Sequence, residues 1–248
     1  MSKALVLLSG GQDSTTCLYW AKHRIAGVTE VHALSVHYGQ KHVRELVAAR
    51  EVAIMADCQS HHILSGMGLL LDGSSSALID SETSGAEHEL AVDGGEKDFE
   101  MPQGLPTSFV PGRNLLLLAA AAMRAGAIGA SHIVTGVCQT DYSGYPDCRQ
   151  VFIDAMNAAI VTAFPSMQRA PFIHTPLMYL TKRESLKLAS ELPGCWSALA
   201  RTVTCYNGKH GGCKMCAACE LRDRGFAEFG VLDPAKVEAF TDRQEGIA

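Results

Sequence analysis

The run Ser9-Gly10-Gly11-Gln12-Asp13-Ser14 constrains this chain more than any other stretch. An apolar, strand-like segment, Ala4 to Leu8, leads into it, and a helix-like segment, Asp13 to Arg24, leaves it. Strand, glycine turn and helix in that order gather backbone N–H groups and the positive end of a helix dipole at one point, a ready anion site. Gly10 and Gly11 permit turn conformations and close approach that a side chain would block. Ser9 and Ser14 add hydroxyl donors, and Asp13 can hold a magnesium ion that neutralises phosphate charge. The plain alternative is a tight turn with a Ser/Asp cap. Its position at the end of the first strand favours a ligand, because ligands of open α/β sheets gather at strand carboxyl ends.

The run is not a Walker A loop, which needs four residues between two glycines and then Gly-Lys-Ser/Thr. Without that lysine it suits a leaving pyrophosphate better than chemistry at a terminal phosphate. It resembles the PP-loop, Ser-Gly-Gly-x-Asp-Ser, of the ATP pyrophosphatases, which adenylate an oxygen of their substrate.

Further apolar stretches at Val31 to Val36, His61 to Leu64, His132 to Gly136 and Pro171 to His174 read as strands. Helices are expected at Val43 to Ala56, Leu115 to Ala127, Gln150 to Thr162 and Lys182 to Leu192, the last capped by Thr181. Strands alternating with helices predict a doubly wound, five-stranded parallel sheet over residues 1–200. With 248 residues, 47% of them apolar, there is room for that domain and a four-cysteine, metal-binding segment at 201–248 packed on it. Residues 66–104, rich in Gly, Ser and acidic side chains, read as a mobile insertion to which no chemistry is assigned.

A net charge of −5 and a pI near 6.0 give no support for a strongly basic nucleic-acid binder. No apolar run reaches membrane-spanning length, and the opening stretch reads as strand and not as a signal peptide. Nine cysteines without a secretion signal fit a reducing, cytoplasmic setting with some thiols on metal.

Cys213, Cys216 and Cys219 stand at Cys-x2-Cys-x2-Cys spacing, with Cys205 eight residues earlier. Four thiolates joined by short loops fit tetrahedral structural zinc, and Gly208, Gly211 and Gly212 let the backbone fold back to close the cage. An iron–sulfur cluster would accept the same ligands, and Cys-x2-Cys can also carry disulfide chemistry. His210 is the spare ligand in the loop. Cys17, Cys58 and Cys195 stand apart and read as small hydrophobes.

Two more segments carry polar chemistry. In Val110-Pro111-Gly112-Arg113-Asn114 a turn sets Arg113 at a helix start, where its planar donor fork suits phosphate or carboxylate. In Asp141-Tyr142-Ser143-Gly144-Tyr145-Pro146-Asp147-Cys148-Arg149 a planar substrate could stack on a tyrosine while a carboxylate reads its N–H edge. Asp147 equally fits a helix N-cap, Tyr145 a packing residue, and Cys148 has the polar neighbours a covalent role would need.

Taken with Tyr38-Gly39-Gln40-x-His42 and the cysteine tail, these motifs, in this order from about Leu5 to Asp233, resemble the QueC family of 7-cyano-7-deazaguanine synthases of the queuosine pathway. Lys214 departs from the glycine the family often has after the first clustered cysteine, and the acidic stretch before Pro102 is longer than the family needs. The resemblance implies an adenine nucleotide alpha hydrolase-like fold with strand order 3-2-1-4-5 and a zinc-binding tail of helix and loop. It implies conversion of 7-carboxy-7-deazaguanine and ammonia to the nitrile, through adenylated acid and adenylated amide, with release of AMP and pyrophosphate. ATP, magnesium and one structural zinc ion are the implied cofactors, in a cytoplasmic homodimer without nucleic-acid or membrane partners.

ATP contacts are expected from Leu8, Ser9, Gly10, Gly11, Gln12, Asp13, Ser14, Thr15, Thr16, Cys17 and Leu18, with Ser9, Asp13, Ser14 and Arg113 as the catalytic set. Asp141, Tyr142, Tyr145, Asp147 and Arg149 are the candidates for holding the substrate, and Cys205, Cys213, Cys216 and Cys219 for the metal. Two rivals are a PP-loop enzyme that thiolates tRNA, with Cys138 or Cys148 carrying sulfur, and a non-catalytic zinc-ribbon module that binds nucleotide without releasing AMP.

Overall fold

The computed structural model describes residues 2–38, 44–66, 108–140, 144–164 and 172–244, with backbone alone for 240–244. Five parallel strands, β1 (Ser2–Leu7), β2 (Val28–Val36), β3 (Ser60–Leu64), β4 (His132–Val134) and β5 (Phe172–His174), form one sheet in the order β3-β2-β1-β4-β5. The inner stretches Ala4 to Val6 of β1 and Val31 to Val36 of β2 are buried on both faces, so neither strand shows a strict alternation of apolar and polar residues.

The period-2 alternation decides which core each side chain joins. Ala4, Val6 and Leu8 face α1 (Gln12–Arg24), α2 (Arg44–Met55), α5 (Lys182–Glu191) and α6 (Cys195–Leu199). Leu5, Leu34, Val36 and Ile133 face α3 (Arg113–Ile128) and α4 (Gln150–Ala163) on the other side. Fully burying one such Leu or Ile contributes roughly 1.5–3 kcal/mol. Thr181 caps α5 reciprocally: its hydroxyl accepts the Glu184 N–H at 3.2 Å, and the Glu184 carboxylate accepts the Thr181 N–H at 2.8 Å.

Strand β4 stops two residues short of the expected Gly136, because the chain there turns toward the start of α1. A Cβ on Gly136 would lie 3.3 Å from the Ser14 nitrogen. The cysteine tail packs against the first core. It carries α7 (Ala217–Phe229) and α8 (Pro234–Gln244), and Phe226 joins the first core beside Trp196, ring centroids 6.0 Å apart. Strand order reverses between β1 and β4, so the loops after them diverge and leave a crevice at their carboxyl ends.

Candidate active site

A cavity of about 350 Å³ occupies that crevice. Its floor is the turn after β1. Gly10 has φ +83°, and a Cβ there would sit 2.3 Å from the Glu45 carbonyl oxygen, so only glycine lets α2 approach the loop this closely. Ser14 braces the turn: its hydroxyl accepts the Ser9 N–H at 3.2 Å, donates to the Gly11 carbonyl at 3.1 Å and lies 3.0 Å from the Ser9 hydroxyl. The N–H groups of Asp13 and Ser14, in the first turn of α1, have no acceptor among the described residues, as a helix N-terminus that serves an anion requires.

Asp13 divides its two oxygens. Oδ2 accepts from Lys182 Nζ at 2.6 Å, while Oδ1 is buried with no hydrogen-bond partner. A buried carboxylate oxygen left without a donor fits a hard cation, and magnesium is commonly held by one or two carboxylates plus substrate phosphates.

Arg113 lies opposite, at the first position of α3 after Gly112 in the left-handed region at φ +75°. Burial alone would lower its pKa, but Tyr38, Tyr145, Asp147 and Cys148 around it outweigh that and raise it, so the guanidinium stays charged. Glu45 of α2 also lines the cavity; burial pushes its carboxyl up to about 7, and Arg113 opposes the shift. Leu7, Leu34, Val36, Leu117 and Val137 make the apolar walls, and Tyr206, Leu221 and Arg222 from the tail close one side.

The expected contacts divide. Leu8, Ser9, Gly11, Gln12, Asp13, Ser14, Arg113 and Tyr145 line the cavity, whereas Gly10 shapes the turn from behind. Thr15, Thr16, Cys17 and Leu18 do not line it; all four are within 1% of full burial, because α1 runs back from the loop at about 1.5 Å per residue and is packed nearly all round.

Asp147 also sits outside the lining. Its carboxylate accepts the Asn114 N–H at 3.2 Å, so it caps the first turn of α3 and fixes Arg113 one residue earlier. Arg149 is likewise absent from the lining and stands at the N-cap of α4. Tyr145 shares a 2.6 Å hydrogen bond with Ser108 and packs on Phe109. Asp141 and Tyr142 lie outside the described residues, as do Gly39, Gln40, His42 and most of the 66–104 insertion.

Lys182, Glu45, Thr204, Tyr206 and Arg222 are cavity residues that no motif announced. Lys182 alone left a signal: with Arg183 it puts two cations on the first turn of α5, against the helix dipole.

The Sγ atoms of Cys205, Cys213, Cys216 and Cys219 lie within 4.8 Å of one another, and two of the spacings are 3.4 and 3.9 Å. Tetrahedral zinc with sulfur at about 2.3 Å implies about 3.8 Å between sulfurs, so the donor set fits a metal ion. Outer hydrogen bonds orient the thiolates: the Asn207 N–H donates to Cys205 Sγ at 3.4 Å, and the Cys213 N–H to Cys219 Sγ at 3.3 Å. Lys214 has φ +64°, so the residue that departs from glycine occupies a backbone region that favours glycine. His210 is turned away from the cluster, with Nε2 2.7 Å from the Ala200 carbonyl.

Comparison with known proteins bears on the whole chain. A 7-cyano-7-deazaguanine synthase of Chromobacterium violaceum is 47% identical, over 94% of this chain and 92% of the relative. Another of that name from Lysinibacillus sphaericus is 45% identical, over 92% and 95%. A third, from Staphylococcus aureus, is 44% identical, over 92% and 93%. Among solved structures, the U34-tRNA thiolase NcsA of Methanococcus maripaludis, with its [4Fe-4S] cluster, aligns over 99% of this chain and 72% of its own at 13% identity and a TM-score of 0.44, too distant to argue from. The model of the family described as queuosine biosynthesis protein QueC matches residues 3–230, from the first strand through the helix that follows the cysteines, and the chain belongs to that family.

Proposed function

We propose that this chain converts 7-carboxy-7-deazaguanine to 7-cyano-7-deazaguanine with ammonia and ATP. The name carried by relatives 44–47% identical over more than nine-tenths of the chain is the observation on which this rests. The geometry supports it by joining a turn with free N–H groups, a half-buried guanidinium and an apolar wall in one cavity.

A carboxylate is a poor electrophile, and transferring AMP to one of its oxygens makes that oxygen a leaving group. Ammonia displaces AMP to give the amide. A second adenylation, on the amide oxygen, and loss of AMP and a proton give the nitrile. Each activation expels pyrophosphate at residues 9–14. The free Asp13 and Ser14 N–H groups, the Ser9 hydroxyl and Lys182 are set where that charge develops. Magnesium, when bound, neutralises phosphate charge, and Asp13 Oδ1 is the protein oxygen available to it.

Arg113 binds the substrate carboxylate or a phosphate, and Tyr145 and Tyr206 offer stacking faces for the ring. Glu45 takes the proton that ammonium must lose before it attacks, a role suited to a carboxyl with a pKa of about 7. The leucine and valine walls keep out water, which would hydrolyse the acyl-adenylate. Zinc at the four cysteines is structural: it takes no direct part in the reaction, and chelation costs the stability of the tail. A cytoplasmic homodimer using free ammonia completes the proposal; among the described residues no helix is long and apolar enough to cross a membrane.

The test is to incubate the metal-loaded protein with magnesium, ATP, ammonium and 7-carboxy-7-deazaguanine and follow products by mass spectrometry. Nitrile and AMP, both absent without the acid, are expected. Folded protein that forms no AMP above the control without acid contradicts the proposal.

A further inference from the structure

The segment that leads into the cysteine cluster also finishes the phosphate loop. The Val203 N–H donates to the Gly10 carbonyl at 3.0 Å, and Thr204 Oγ1 accepts the Gln12 N–H at 3.3 Å. Gln12 opens α1, whose N-cap position is held by Gly11 and therefore has no side chain to cap with. Thr204, 192 residues away in sequence, supplies the missing acceptor.

Thr204 is itself held in place. Arg222 Nη1 donates to its Oγ1 at 2.8 Å and to Thr202 Oγ1 at 2.8 Å, and Asp233 grips the guanidinium at 2.7 and 2.8 Å. The Arg222 and Asp233 side chains are 7% and 4% exposed, so this pair is fixed and poorly screened. Both ends of the connection run into the cluster: Cys205 follows Thr204 directly, and Arg222 lies three residues past Cys219 on the helix that Cys216 opens.

We propose that Thr204 is a positioning residue that couples the cysteine cluster to the phosphate loop, so that anion binding at residues 9–14 and metal retention by the four cysteines strengthen each other. The proposal rests on the reading that residues 9–14 hold phosphate. When the cluster is closed, Arg222 and Thr204 fix the Gln12 N–H and leave the next two N–H groups of α1 aimed for a ligand. When it opens, that aim is lost. Linkage requires the reverse effect to be equally large.

Magnesium pyrophosphate is the probe, titrated into the metal-loaded full chain, the Thr204→Val variant and the Thr204→Ser variant. Thr204→Val keeps the shape and removes the acceptor; about tenfold weaker binding and a similarly raised KM for ATP are expected, with Thr204→Ser returning to within about twofold. In the unaltered protein, saturating pyrophosphate slows the loss of metal to a chromogenic chelator, and Thr204→Val abolishes the slowing. Equal binding by the unaltered protein and Thr204→Val overturns the coupling, as does metal loss that pyrophosphate leaves unchanged or speeds. Should Thr204→Val fail to fold, the metal-loss experiment on the unaltered protein decides alone. An unaltered protein that binds no pyrophosphate brings down the phosphate-loop reading itself, and the coupling with it.

Discussion

Lys182 and Glu45 face one cavity from opposite charge states, and each leads to a measurable consequence. Lys182 is paired with Asp13 at 2.6 Å and stands where pyrophosphate would leave, so Lys182→Met removes a charge that matters most in the transition state. A loss of roughly 10²–10³ in kcat for AMP formation is expected, the size seen when one preorganised donor to a developing anion is deleted. Steady-state AMP release checks it.

Glu45 titrates near pH 7 when folded against 4.5 as a free group, chiefly through burial. A raised carboxyl favours the protonated folded state, so its presence costs stability as pH rises from about 4.5 to 7, and Glu45→Gln should remove that slope in urea melts. The same substitution should slow amide formation and flatten its decline below pH 7, while ATP–pyrophosphate exchange driven by the acid persists.

At this scale the phosphate loop was legible because its residues are contiguous. Lys182, Glu45 and Arg222 were not, since each is a single side chain brought in by a different helix. Thr15, Thr16, Cys17 and Leu18, expected among the ATP contacts, lie within α1, whose near-complete enclosure is tertiary and leaves no mark in local sequence.

Among the elements, the parallel strands could be read from short apolar runs, with ends shifted by a residue or a few. Strand β2, for example, begins at Val28, before the apolar run expected from Val31. The five-residue α6 is too short to show a period, and helix in the tail was expected only through the family resemblance, without the bounds of α7 and α8. The tail also contains a local conflict: Lys214, exposed, adopts φ +64° between two cluster ligands. Left-handed backbone costs a non-glycine residue roughly 1–2 kcal/mol, and glycine gives back roughly 0.5–1 through its larger unfolded-state entropy. Lys214→Gly is therefore expected to stabilise the metal-loaded protein by about 0.5–1 kcal/mol, read from urea unfolding at fixed metal concentration. Unchanged or lowered stability would mean that Lys214 makes a compensating contact.

For the whole molecule, alternation of strand and helix predicted a parallel doubly wound sheet, but only family resemblance supplied the order that the sheet adopts. What the sequence concealed is that the cysteine tail walls the cavity through Tyr206, Leu221 and Arg222, because no local pattern says where a distant segment will dock. The tail and the sheet thus share one cavity, and in the proposed reaction its phosphate loop serves two successive activations.

Substrate labelled with ¹⁸O at both carboxylate oxygens tests that claim most directly. If each oxygen leaves on its own AMP, two AMP form per nitrile and every product AMP carries one ¹⁸O. Unlabelled AMP, or one labelled AMP per nitrile, would contradict double adenylation at this site.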